Sequence, residues 1–184
     1  MPLHTQLLRG MGVLSLSACS CAFAGGVQGW GNASDLLAVG LPVLAAGVAW
    51  AQGDTEGMKE LTYSLSGAYV ATTALKKSIH ATRPDGSDHE SFPSGHTAVA
   101  FAAVRYMDKR YGAELAPYTP WLYAAAGLTG VARVQAHKHH WQDVAAGAAL
   151  GFGTAHYLTQ PIQGGQLSVL PSPGGMAMHW QRAW

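Results

Sequence analysis

Apolar positions along the chain fall in blocks of helical length, each closed by a polar turn or a proline. Met11 to Ala24 is an apolar run of small residues. Ser34 to Gln52 opens on Ser34-Asp35, a good N-cap pair, and is interrupted by Pro42, so a helix kinked or restarted at the proline is predicted. Gly53 to Gly57 is a polar turn. Met58 to about Arg83 reads as a longer helix that ends near Arg83, because Pro84 biases the residue before it away from the α region. Pro84 to Pro93 is a polar loop carrying Asp85, Asp88 and Glu90. Ser94 then caps a helix reaching about Arg110, in which Arg105, Asp108 and Lys109 form a polar stripe. Thr119 to about Arg133 and Trp141 to about Leu158 are two more helices, rich in the Ala and Gly that suit close helix approach. The predicted fold is all-α, a bundle of about five helices.

The two ends of the chain differ from this pattern. Gln166 to Leu170 and Met176 to Trp180 flank Pro171-Ser172-Pro173-Gly174-Gly175, which fits a short β-hairpin or a Gly/Pro tail. At the N-terminus, Arg9 is the only charged side chain before Asp35, and Ala22-Phe23-Ala24 matches the small-x-small cleavage rule of an export signal. Leu16-Ser17-Ala18-Cys19 competes as a lipoprotein box that would make Cys19 a lipidated first residue. A buried first helix is the remaining alternative. The expected organisation is a signal peptide over 1–24, a helical domain over 25–160 and a tail or hairpin over 161–184.

Composition narrows the function classes. Cys19 and Cys21 are the only cysteines, so cleavage after Ala24 leaves no disulfide staple and no thiol evidence about compartment. The remaining length, about 160 residues, suffices for one domain with a real core. A net charge of +1 gives no broad surface for nucleic acid or for a polybasic membrane contact. A membrane-spanning helix needs ~20 mostly apolar residues. The best candidate, Leu36 to Ala51, is shorter than that and contains Pro42. Contact with a membrane surface and full integration therefore both stay open.

Three stretches carry chemistry. Lys76 and Arg83 are seven residues apart, within about 20° of one face of a continuous helix, so two cations would project together. Phe92-Pro93-Ser94-Gly95-His96 enters a helix whose N-terminal amides suit an anion; Ser94 adds a hydroxyl, Gly95 permits close approach and His96 can carry a proton. Arg133, His139 and Asp143 close the set. A carboxylate that takes one imidazole N–H fixes the tautomer and frees the other nitrogen. Arg133 and His139 would point about 240° apart on a continuous helix, so the chain must form a loop over Val134 to His140 for both to reach one ligand. The economical reading is one oxyanion gripped by Lys76, Arg83, Arg133 and helix-end amides, with two histidines on opposite sides.

Lys-x6-Arg-Pro, Pro-Ser-Gly-His and Arg-x5-His-x3-Asp, in that order, resemble the three signatures of the type 2 phosphatidic acid phosphatase family, whose superfamily includes bacterial acid phosphatases and vanadium haloperoxidases. The resemblance covers about Leu61 to Leu158. It implies an active site at one end of the bundle and a phosphatase acting on phosphomonoesters or diphosphates, with a lipid phosphate presented at a membrane as substrate. It implies that Lys76, Arg83, Ser94, Gly95 and Arg133 bind the phosphoryl oxygens. His139 would attack phosphorus and form a phosphohistidine, His96 would protonate the leaving oxygen and then activate water, and Asp143 would orient His139. No metal or other cofactor is implied. Export would make the protein periplasmic, anchored through Cys19 or integrated in the membrane. One departure stands out: the third signature usually begins Ser-Arg, and here it is Ala132-Arg133. Two alternatives share the fold, a vanadate-dependent haloperoxidase and a non-catalytic envelope lipoprotein. His137, His139 and His140 crowd together without a carboxylate or cysteine spaced for a closed metal shell. His80, His89, His156 and His179 read as surface or packing residues, and Phe92 and Trp141 as core anchors of their loops.

Overall fold

The computed structural model describes residues 25–162, 166–172 and 175–181, the last two stretches as backbone only. The expected leader and cleavage site, Cys19 and the side chain of His179 lie outside the described residues. Among those described there are five long helices and one single turn: α1 (Gly26–Ala51), α2 (Thr55–Ile79), α3 (Gly95–Arg110), α4 (Gly112–Leu115), α5 (Thr119–Gln135) and α6 (Trp141–Leu158). The all-α bundle is as the pattern predicts. After it, β1 (Gln166–Ser172) pairs antiparallel with β2 (Gly175–Gln181), from Gln166 opposite Gln181 to Ser172 opposite Gly175.

α3 is the axis of the bundle, and α1, α2, α5 and α6 all pack on it. Its composition explains why. Ala98, Ala100, Ala102, Ala103 and Val104 are fully buried on several faces, and no residue of α3 is exposed, as befits a helix in the interior. Tyr106, Met107, Leu115 and Leu37 supply the bulk between helices, each contributing roughly 1.5–3 kcal/mol by leaving water.

The α3–α6 contact is the closest. Asp143, Gly147, Gly151 and Ala155 form the buried stripe of α6, one residue per turn. A Cβ on Gly147 would sit 2.3 Å from the Ser94 carbonyl oxygen, and one on Gly151 would sit 1.9 Å from that of Ala98. Backbone therefore meets backbone, and Asp143 is carried to the first turn of α3, where its carbonyl accepts a hydrogen bond from Ser94 N at 2.9 Å. Gly151→Ala is expected to destabilise the protein by ~1–3 kcal/mol through overpacking. The substitution also gains about 1 kcal/mol of helix propensity, so the net sign reports which effect dominates. Thermal unfolding checks it, and a variant more stable than wild type would mean that the seam yields easily.

The opposite end is locked by charge. Asp54 caps α2 by accepting from Gly57 N at 2.8 Å. It also takes Arg110 Nε and NH2, both at 2.7 Å, and Tyr111 OH at 2.8 Å. Arg110 NH1 reaches Glu60 at 3.0 Å and the Gln160 carbonyl at 3.1 Å. One guanidinium thus joins the start of α2, the end of α3 and the exit of α6.

Three expectations need correction. α1 begins at Gly26, so Ser34 and Asp35 are interior and cap nothing; Ser34 Oγ instead donates to the Gly31 carbonyl at 2.7 Å. The helix also runs through Pro42 without restarting. α2 ends at Ile79, with His80 left-handed at φ 49°, before Arg83 is reached. The backbone after it is committed to a loop, since the Ala81 carbonyl takes Ser91 N at 2.8 Å and Arg83 N donates to the Asp88 carbonyl at 3.0 Å. The polar stripe Arg105, Asp108 and Lys109 needs no correction and is bonded within the bundle: Asp108 Oδ2 accepts from Arg105 at 2.5 Å and from Tyr123 OH at 3.0 Å, and Lys109 bonds the His156 carbonyl.

Candidate active site

The third motif leaves its helix later than expected, after Gln135, and Arg133 projects from the last turn of α5. His137 takes a left-handed conformation, φ 54°, and reverses the chain so that His139 turns inward and is 2% exposed. Two contacts fasten this turn to the loop after α2. Lys138 Nζ pairs with Asp85 at 2.6 Å, and Asp85 N donates to the His137 carbonyl at 3.1 Å. Lys138 holds the Asp85 carboxyl far below the ordinary range.

Lys76 and Arg83 do not share a helix face, since Arg83 lies in the loop. They converge nonetheless. Arg83 is aimed by Asp88 at 2.6 Å and by the Lys138 carbonyl at 3.5 Å, while Lys76 donates to the Glu90 carbonyl. Burial lowers the Lys76 pKa, and the positive charge of Arg83 lowers it further. For His139, burial is the main effect holding the ring neutral, and Arg133, Arg83 and Lys76 act in the same direction. The Ser91 backbone beside it works the other way. An uncharged, buried imidazole faces three cations.

Asp143, 4% exposed, stands behind His139 with Oδ2 3.6 Å from Nδ1. That oxygen accepts from Ser91 Oγ at 2.5 Å and from His140 N at 2.8 Å. Burial raises the carboxyl's pKa, but these two bonds and the histidines outweigh it and keep the carboxylate charged. Nδ1 of His139 and Nε of Arg133 are buried and lack a hydrogen-bond partner among the described residues. A buried donor left open costs ~1–3 kcal/mol unless something binds it.

Across the site, Ser94 is the N-cap of α3, yet its hydroxyl does not cap the helix. It is buried and bonded to Thr97 Oγ1 at 2.9 Å, and Ser94 N is given to the Asp143 carbonyl, so the amides after Ser94 are what this helix end presents. Around the position of a Cβ on Gly95 no protein atom lies within 4 Å; packing does not demand this glycine, and the space opens on the helix end. His96 points its Nε2 at Asp35 Oδ1, 2.9 Å away. Arg133 NH1 lies 3.3 Å from Ser34 Oγ and 3.4 Å from Asp35 Oδ1.

Every residue singled out for the site, Lys76, Arg83, Ser94, Gly95, His96, Arg133, His139 and Asp143, thus lies around the N-terminal ends of α3 and α6. Asp35 and Ser91 were missed. Ser91 carried no signal beyond its type, whereas Asp35 is the only charged side chain in α1. Trp141 is no core anchor: it is 59% exposed, because the stripe that α6 buries starts at Asp143. Phe92 is half-buried. His140 caps α6, and His89 bonds Thr82 at 2.9 Å. Among the described residues no three His, Cys, Asp or Glu side chains are grouped as a metal site would need.

Comparison with known proteins gives the same direction. A family model described as PAP2 superfamily matches residues 58–163. A lipid A 1-phosphatase of Porphyromonas gingivalis is 40% identical over 91 residues, 50% of this chain and 20% of that protein. A lipid A 4'-phosphatase of Helicobacter pylori is 33% identical over 132 residues, 65% of this chain and 64% of that protein. This chain therefore spans only a part of the curated relatives it matches. The crystal structure of Aquifex aeolicus LpxE is similar in fold, with a TM-score of 0.52 and 24% identity, over 67% of this chain and 84% of that one.

Proposed function

Because the chain belongs to the PAP2 superfamily, we propose that it is a metal-independent phosphatase that releases phosphate from a lipid phosphomonoester or diphosphate through a phosphohistidine. The observation that carries this reading is the buried His139 facing Arg133, Arg83 and Lys76, where burial and the cations favour the neutral ring. Neutral imidazole is the nucleophilic form, and fixed cations stabilise the charge that builds on the phosphoryl oxygens. With Asp143 behind Nδ1, Nε2 is the nitrogen free to reach phosphorus. As the N–P bond forms, the bond from phosphorus to the leaving oxygen breaks, and His96 delivers a proton to that oxygen. Water then attacks the phosphohistidine, His96 takes its proton, and the N–P bond breaks to release phosphate. Gly95 and the amides of the first turn of α3 hold the phosphoryl oxygens with the cations. The loss of the signature hydroxyl at Ala132 removes no charged group from this scheme.

A lipid substrate fits the exterior. Val39, Val43 and Trp50 on α1, Tyr69 and Val70 on α2, Trp121 on α5 and Tyr157 on α6 are all more than half exposed, an amount of uncovered apolar surface suited to a bilayer. α1 is the one helix among those described that is long and apolar enough to cross a membrane. The relatives named above are lipid A phosphatases. We read the protein as exported and held at the membrane, with Cys19 as the alternative anchor.

The test is phosphate release in the presence of EDTA, comparing a soluble aryl phosphate with a detergent-dispersed lipid phosphate. Both are expected to be hydrolysed, with kcat/KM for the lipid higher by ~10-fold or more, a difference of about 1.4 kcal/mol in transition-state binding. Activity restored only by added divalent metal would overturn the mechanism, and indifference to the lipid would overturn the substrate class.

A further inference from the structure

Asp35 is the only charge on a 26-residue apolar helix, and it lies outside the matched stretch 58–163. Its side chain is 60% exposed, yet it is turned to the site rather than left to solvent alone. Its carboxylate is spent on two groups of the site, His96 Nε2 at 2.9 Å and Arg133 NH1 at 3.4 Å. Ser34, one residue earlier, is fully buried and shares Arg133 NH1 at 3.3 Å, so both residues of α1 are built into the wall of the site.

We propose that Asp35 is a positioning residue for His96: it holds Nε2–H, leaves Nδ1 as the nitrogen that exchanges a proton with substrate, and stabilises the imidazolium that protonates the leaving oxygen. This rests on the phosphatase reading above. Three charged groups face the ring, Asp35 from α1, Arg133 from α5 and Arg83 from the loop after α2. Burial, then Arg133 and more weakly Arg83, favour the neutral ring, and Asp35 opposes them. Asp35 is thus the group facing the ring that favours the proton it must give. In the first step the proton passes from Nδ1 to the leaving oxygen as its bond to phosphorus breaks, and the ring returns to neutral with Nε2–H still on Asp35. In the second step Nδ1 takes the proton of the attacking water, and the imidazolium is restored.

The experiment uses the full chain and the variants Asp35→Asn and Asp35→Glu. NMR titration of the His96 ring is read beside turnover of an alkyl phosphate and of an aryl phosphate whose leaving group needs no proton. Asp35→Asn is expected to lower the His96 midpoint and to move the limb of the kcat profile where His96 loses its proton to lower pH. It should cut alkyl phosphate turnover ~10-fold or more beyond any loss on the aryl phosphate, as loss of general-acid assistance requires. Asp35→Glu should restore most of each effect. An unmoved His96 midpoint would overturn the proposal, and so would equal losses on both substrates with an unmoved pH profile, the signature of a merely structural residue. The titration needs no turnover. A wild type that releases phosphate from neither substrate would therefore count against the phosphatase reading, while the midpoint shift would still decide whether Asp35 controls His96.

Discussion

His139→Ala is expected to lower phosphate release by ~10⁴-fold or more while the protein remains folded, because removing a nucleophile removes the covalent route and leaves only the binding groups. The fold should tolerate the change, since Asp143 keeps its bonds from Ser91 Oγ and His140 N. Arg133, Arg83 and Lys76 stay in place, so the variant should still bind inorganic phosphate. Rapid quenching during turnover should trap a phosphoryl group on His139 in the wild type and none in the variant. Because burial and three cations hold the His139 pKa down, its protonation should not limit the rate as pH falls through the ordinary imidazole range. Normal turnover by the variant would sink the phosphohistidine mechanism.

The largest effect on stability is expected at the other end of the bundle. Arg110→Met leaves Asp54 and Glu60, both with nearly buried side chains, without their cation. Stranding a buried charge costs ~3–5 kcal/mol, against a total stability of ~5–15 kcal/mol for a domain. Urea unfolding should show a midpoint far below that of wild type. The triple variant Asp54→Asn, Glu60→Gln, Arg110→Met should recover part of the loss, because no charge remains to be stranded. The same lock sets an acid limit. Burial raises the Asp54 carboxyl, but the bonds from Arg110, Gly57 N and Tyr111 outweigh it and bring it to about 2, below its ordinary 3.8. A depressed carboxyl contributes stability in full above its unfolded pKa and loses it as pH falls through the folded value, so this contribution should vanish between about pH 4 and pH 2. An Arg110→Met protein as stable as wild type would mean that the lock is incidental.

How much of this was legible beforehand differed by element. α6 begins and ends at the residues its pattern indicated, since a polar residue before an apolar run and a distinct stop are local signals. α3 likewise follows its Ser94 start. The failures share a cause. Ser34 and Asp35 have the right chemistry for a cap and also for a site wall, and only the approach of α5 and the start of α3 distinguishes the two uses. The same holds for Lys76 and Arg83: their membership in one site was readable, but not the way they meet. The α2 terminus depends on Ala81, Ser91 and Asp88 closing a loop, a set of contacts that no helical periodicity encodes. Ser91 was invisible because a serine beside a proline-rich turn has many bland uses, and only its bond to Asp143 reveals this one.

The glycine seam between α3 and α6 has a consequence for motion. Each carbonyl of the pair, from Ser94 and Ala98, rests in a notch that only a residue without a side chain can form. Sliding α6 by one turn, ~5.4 Å, would bring Asp143 or Ala155 under one of those carbonyls, where a side chain cannot fit. The contact therefore behaves like a detent with a single stop. The alignment of the proton-carrying arm on α3 with the carboxylate on α6 is all or none, and any adjustment to different substrates must come from the loops that carry Arg83 and His139.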